Sequence, residues 1–119
     1  MKKIIFILLL VLFSGCSQKN EYKNIEVNEL SSLGENVLYL DVRSRLEFSN
    51  SHIDNAINID VDEIEENIKD LVPNKDRTII VYCQSGNRSK TASEKLIKLG
   101  YKNIYNMIGG YGEYKKGVY

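Results

Sequence analysis

From residue 25 onward, short apolar runs alternate with stretches in which apolar residues recur every three or four positions. Val37 to Leu40 is an apolar run too short for a helix and predicts a buried strand. Thr78 to Tyr82, rich in β-branched residues, predicts the strongest strand of the chain. Ala56 to Ile59 and Asn103 to Met107 predict two more. Between them, Asn28 to Leu33 predicts a short helical turn closed by Gly34, and Ser44 to Ser49 a short helix. Asp60 with Glu63 three residues later reads as a capping box, after which Ile64, Ile68 and Leu71 repeat at helical spacing until Pro73. Ala92, Leu96 and Leu99 line one face of a further helix. Glu94 and Lys98 pair on its exposed side, and Gly100 closes it. Gly109-Gly110 introduces a short terminal helix. This alternation predicts an α/β fold, a parallel sheet covered by helices on both faces. Ligand sites in such sheets lie beyond the carboxyl ends of the strands. Two segments fall there: Asp41-Val42-Arg43, and Cys83 through Arg88.

The start of the chain follows a different pattern. Lys2 and Lys3 precede an unbroken apolar run from Ile4 to Phe13, followed by Ser14, Gly15 and Cys16. A charged start, a short apolar centre and small residues before a break describe a secretory signal peptide. Ten residues of helix span only about 15 Å, half of a hydrocarbon layer of about 30 Å, so a permanent transmembrane anchor is the weaker reading. The ending Phe13-Ser14-Gly15-Cys16 resembles the lipobox of bacterial lipoproteins, with Phe13 where that family usually has Leu. The resemblance implies a leader over residues 1–15, lipidation of Cys16, and an exported protein anchored to the membrane on the cell-envelope side. Residues 16–23 then form the lipidated Cys and a polar tether, and residues 24–119 the folded domain.

The 119 residues suit one domain, and 27% charged with 43% apolar residues is ordinary for a globular protein. Sixteen basic against sixteen acidic residues leave no sign of a nucleic-acid partner. Two cysteines cannot make a disulfide scaffold, and no Cys/His cluster has metal-site spacing. With Cys16 lipidated, Cys83 is the free thiol of the mature protein. No metal or organic cofactor is expected, and a monomer is.

The chemistry concentrates in Cys83-Gln84-Ser85-Gly86-Asn87-Arg88-Ser89. A Cys directly after a buried strand and just before a helix receives the positive end of that helix. The amides from Gln84 to Ser89 can curl around its sulfur, Gly86 permits the tight turn, and Arg88 adds a positive charge. All of these favour thiolate over thiol, which places the pKa below the reference of about 8.5. A core Cys needs neither a cradle nor a cation.

Here the chain resembles the rhodanese family of single-domain sulfurtransferases. The matching residues are Asp41-Val42-Arg43, Glu47-Phe48, His52-Ile53, Ala56, Asn58-Ile59, Cys83-x-Ser85-Gly86-x-Arg88-Ser89 and Gly109-Gly110. They come in the family's order across roughly residues 25 to 114. The resemblance implies a three-layer fold with a central parallel sheet of about five strands. It also implies that Cys83 carries a sulfur, as a persulfide, from a donor such as thiosulfate or polysulfide to a thiol or cyanide acceptor. Arg88 is then the electrostatic stabiliser, and Gln84, Ser85, Gly86, Asn87 and Ser89 form the substrate-binding loop. Asp41, Arg43 and Glu47 read as an ion-pair network shaping that loop, with Arg43 also a candidate for substrate contact.

The departures from the family are specific. Asn55 stands where members often have Gly, and Asn tolerates the left-handed conformation. Tyr114 takes the place of a Trp. Gln84 replaces an Arg found in many members, leaving one fewer cation at the mouth. The resemblance implies that His52, a matching residue, belongs to a structural turn. Two alternatives remain open: a phosphatase or arsenate reductase, whose loops are longer than the six residues from Cys83 through Arg88, and a non-catalytic or redox-relay module that binds a thiol partner.

Overall fold

The computed structural model describes residues 20–117. The leader, Cys16 and residues 17–19 of the tether lie outside that range. Five strands form one sheet: β1 (Lys23–Ile25), β2 (Leu38–Asp41), β3 (Ile57–Asn58), β4 (Thr78–Tyr82) and β5 (Asn103–Met107), ordered β1-β5-β4-β2-β3. Every neighbouring pair is parallel. Four helices accompany them among the described residues: α1 (Arg45–Asn50), α2 (Ile64–Leu71), α3 (Asn87–Lys98) and α4 (Gly110–Lys116), with 3-10 turns at Val27–Leu33 and Val61–Glu63. The expected sheet of about five parallel strands with helices on both faces is the one observed.

The central strand β4 explains the layering. Ile79 and Val81 point to one face, and Cys83 continues their alternation. They pack there with Ile64 and Ile68 of α2 and with Ala92 and Leu96 of α3. Ile80 and Tyr82 point to the other face, against Val27, Leu30, Met107 and Tyr111. All four strand residues from Ile79 to Tyr82 are completely buried. A strand covered on both faces reads as a continuous apolar run rather than an alternating one. The site cysteine therefore grows directly out of the most rigid part of the sheet.

Four expectations are corrected. Residue 23 belongs to an edge strand rather than the tether: β1 aligns Lys23 with Tyr105 and Ile25 with Met107. The Asp60–Glu63 box does not form, because a 3-10 turn intervenes and the Asp60 carboxylate accepts from the Asp62 amide at 3.0 Å. Leu71, placed on the buried stripe of α2, is 56% exposed because the helix ends there and the chain turns away toward Pro73. In place of the expected Glu94–Lys98 pair, Lys95 of α3 reaches Glu65 on α2 at 3.3 Å. Asn55 does take the left-handed conformation, at φ 68°. No helix among the described residues is long and apolar enough to cross a membrane.

Candidate active site

Cys83 leaves β4 at the carboxyl edge of the sheet, 1% exposed. The loop turns back beneath it at Gly86, whose φ of 115° is open to glycine without a Cβ clash and which caps the start of α3. The Gly86 amide donates to the Cys83 Sγ at 3.1 Å, and the Ser89 amide does so at 3.4 Å. The Ser89 Oγ lies 3.6 Å from the same sulfur and donates to the Gly86 carbonyl at 3.0 Å. Burial pushes the Cys83 thiol up. The Ser89 hydroxyl and amide, with the amides of Gly86 and Ser85, outweigh it and bring the thiol below its ordinary value. Of the loop amides expected to cradle the sulfur, Ser85, Gly86 and Ser89 are therefore the effective ones. Gln84, Ser85 and Asn87 expose their side chains at the mouth.

A second clamp fixes the loop from the other side. At the start of α4 the Tyr111 amide donates to the Cys83 carbonyl at 2.8 Å, and the Gly112 amide to the Gln84 carbonyl at 3.0 Å. Gly110, at φ 61°, lies so close that an added Cβ would collide with the Cys83 and Gln84 backbone. The sequence carries this role only as a Gly-Gly pair, since nothing local in it says which backbone approaches.

The expected ion-pair network divides in two. Asp41 and Arg43 form a buried fork, with Nη2 to Oδ2 at 2.7 Å and Nε to Oδ1 at 3.0 Å. The remaining Arg43 donors go to the Ser51 carbonyl at 2.7 Å and the Gln84 Oε1 at 3.4 Å. Its guanidinium also lies over the Tyr111 ring, 4.6 Å from the centroid. At 3% exposure, Arg43 positions the loop through Gln84. Arg88 instead pairs with Glu47 on α1, with Nη1 to Oε1 at 2.7 Å and Nη2 to Oε2 at 3.1 Å, at the surface beside the loop. The Arg88 bonds, opposed by partial burial and aided by Ser44, hold the Glu47 carboxyl at about 2. The interaction also raises Arg88, which feels the Cys83 thiolate as well. His52 stacks on Phe48 with ring centroids 3.7 Å apart and bonds the Phe48 carbonyl at 2.7 Å, so it holds the turn as expected.

A buried cysteine at the end of a central parallel strand, its sulfur held by loop amides at a helix start, defines a class of α/β domains that stabilise an anionic sulfur. Within that class, the chain belongs to the rhodanese-like family: the model for the Rhodanese-like domain matches residues 25–117. The thiosulfate sulfurtransferase PspE of Escherichia coli is 38% identical over 71 residues, covering 60% of this chain and 68% of that protein. The tRNA uridine(34) hydroxylase of Photorhabdus laumondii is 33% identical over 105 residues, which is 84% of this chain. The chain spans only 30% of that hydroxylase. Among solved structures, a rhodanese-related protein from Thermoplasma volcanium superposes with a TM-score of 0.73 at 35% identity, covering 82% of this chain and 95% of that one. The human single-domain sulfurtransferase TSTD1 gives 0.72 at 28% identity, covering 81% and 97%. These relatives support a sulfurtransferase-family function for the chain.

Proposed function

We propose that the chain transfers sulfane sulfur through a persulfide on Cys83. The observation that carries this reading is the buried sulfur held by the Gly86 and Ser89 amides. The Cys83 thiolate attacks the outer sulfur of the donor. With thiosulfate, the S–S bond of the donor breaks, sulfite leaves with the bonding pair, and Cys83–S–S⁻ remains. Its negative charge sits against donors already oriented, so no reorganisation accompanies the step. A nucleophilic acceptor then takes the outer sulfur and restores the thiolate; cyanide leaves as thiocyanate and a thiol as a persulfide. Two half-reactions sharing one covalent intermediate predict ping-pong kinetics. Initial rates with polysulfide or thiosulfate against varied cyanide should give parallel double-reciprocal lines. Intersecting lines would contradict a covalent carrier.

The match to the hydroxylase covers 30% of its length, so its activity is not carried over to this chain. A redox relay is the second reading. Cys83 has no second described cysteine to resolve it, so a relay would leave a mixed disulfide with a partner thiol. We also propose export and lipidation at Cys16. The expected outcome is partition of the full-length chain into detergent phase, lost in Cys16→Ala; aqueous partition of both would count against the anchor.

A further inference from the structure

Both guanidinium groups at this site are already neutralised. Arg43 is buried with its fork on the Asp41 carboxylate. Arg88, the one guanidinium at the mouth, is gripped at both terminal nitrogens by Glu47. The remaining mouth residues Gln84, Ser85 and Asn87 are uncharged, and the sulfur is stabilised by uncharged donors. Leu46 beside Glu47 is 72% exposed, and Ile108 beside Gly109 is also exposed. A mouth built in this way offers an incoming dianion no unpaired guanidinium to replace its hydration, while an attacking thiolate repels it.

Resting on the sulfur-transfer reading above, we infer that Glu47 is a specificity-determining residue. By neutralising Arg88 it tunes the site to donors of at most one negative charge, organic persulfides, over dianions such as thiosulfate. In the favoured half-reaction the Cys83 thiolate attacks the terminal sulfur of R–S–SH. The S–S bond of the donor breaks, R–S⁻ leaves with the pair, and Cys83–S–SH remains with the proton. No oxidant or reductant is consumed. Glu47 acts through Arg88 and is a positioning residue.

Glu47→Gln separates charge from structure. Glutamine keeps an acceptor for the Ser44 amide, and either Glu or Gln closes a capping box, so α1 retains its start. The test compares kcat/KM for thiosulfate with kcat/KM for 2-hydroxyethyl persulfide, both with cyanide as acceptor, in the full-length chain at low and high salt. Wild type should prefer the persulfide and use thiosulfate with little salt dependence. Glu47→Gln should shift the ratio toward thiosulfate by about ten-fold at low salt, and 0.5 M salt should erase most of that gain, since freed charge is screened. Arg88→Met should move the ratio the opposite way by leaving Glu47 unpaired. An unchanged ratio in both variants, or a wild type that prefers thiosulfate with steep salt dependence, would overturn the inference while leaving sulfur transfer intact. Failure of wild type with both donors would instead overturn the sulfur-transfer reading on which it rests.

Discussion

At the scale of single residues, the decisive competition is at one sulfur atom. Burial opposes the Cys83 thiolate, and a few oriented donors reverse that. Ser89 contributes through its amide and through its hydroxyl, whose one hydrogen is shared between the sulfur 3.6 Å away and the Gly86 carbonyl. Removing the hydroxyl in Ser89→Ala leaves burial less opposed. The pH midpoint for alkylation of Cys83 should rise by about one unit, the equivalent of about 1.5 kcal/mol for a hydrogen bond to a charged group. Iodoacetamide labelling rates from pH 5 to 10 measure it, and an unmoved midpoint would assign the stabilisation to the backbone alone. The sequence revealed the cysteine and its loop, because a strand, a Cys, a Gly and a helix start are all local signals. It did not pair Arg88 with Glu47, because that partner is 41 residues away in the chain.

At the scale of elements, the loop is held between the starts of three helices. The α1 start contributes Glu47, which closes a reciprocal box with Ser44 and binds Arg88. Its carboxyl titrates at about 2 in the fold, against an ordinary 4.5. A depressed carboxyl stabilises the fold above its unfolded value, and that contribution is lost as pH falls through the folded one. The wild type should therefore lose stability between about pH 5 and 2 more steeply than Glu47→Gln, as read by urea midpoints across that range. Equal slopes would mean the pair contributes nothing. The α4 start contributes the closest approach. Gly110→Ala must move α4 off the Cys83 carbonyl and also strain a positive φ, so it should cost about 1–3 kcal/mol and slow turnover. A variant with wild-type stability and rate would show that the clamp is not needed.

The elements that escaped the sequence share a reason. β1 has three residues and takes its strand character from pairing with β5 rather than from its own composition. The 3-10 turn before α2 replaced the expected box because Asp60 finds a nearer amide. By contrast, Thr78–Tyr82 and Asn103–Met107 were legible to the residue, being apolar or β-rich runs bounded by turns.

At the scale of the whole molecule, two apolar layers meet across one parallel sheet, and every strand delivers its carboxyl end to the same edge. That common direction brings Asp41, Arg43 and Cys83 together with the starts of α1, α3 and α4. The proposal that this edge holds a transferable sulfur on Cys83 is decided by intact mass. The full-length chain and Cys83→Ser are incubated with polysulfide or thiosulfate, weighed, and weighed again after cyanide. Wild type alone should gain one sulfur, about 32 Da by its atomic mass, discharged by cyanide as the Cys83 thiolate is restored. No gain with either donor, while a small alkylating reagent still labels Cys83, would contradict the proposal.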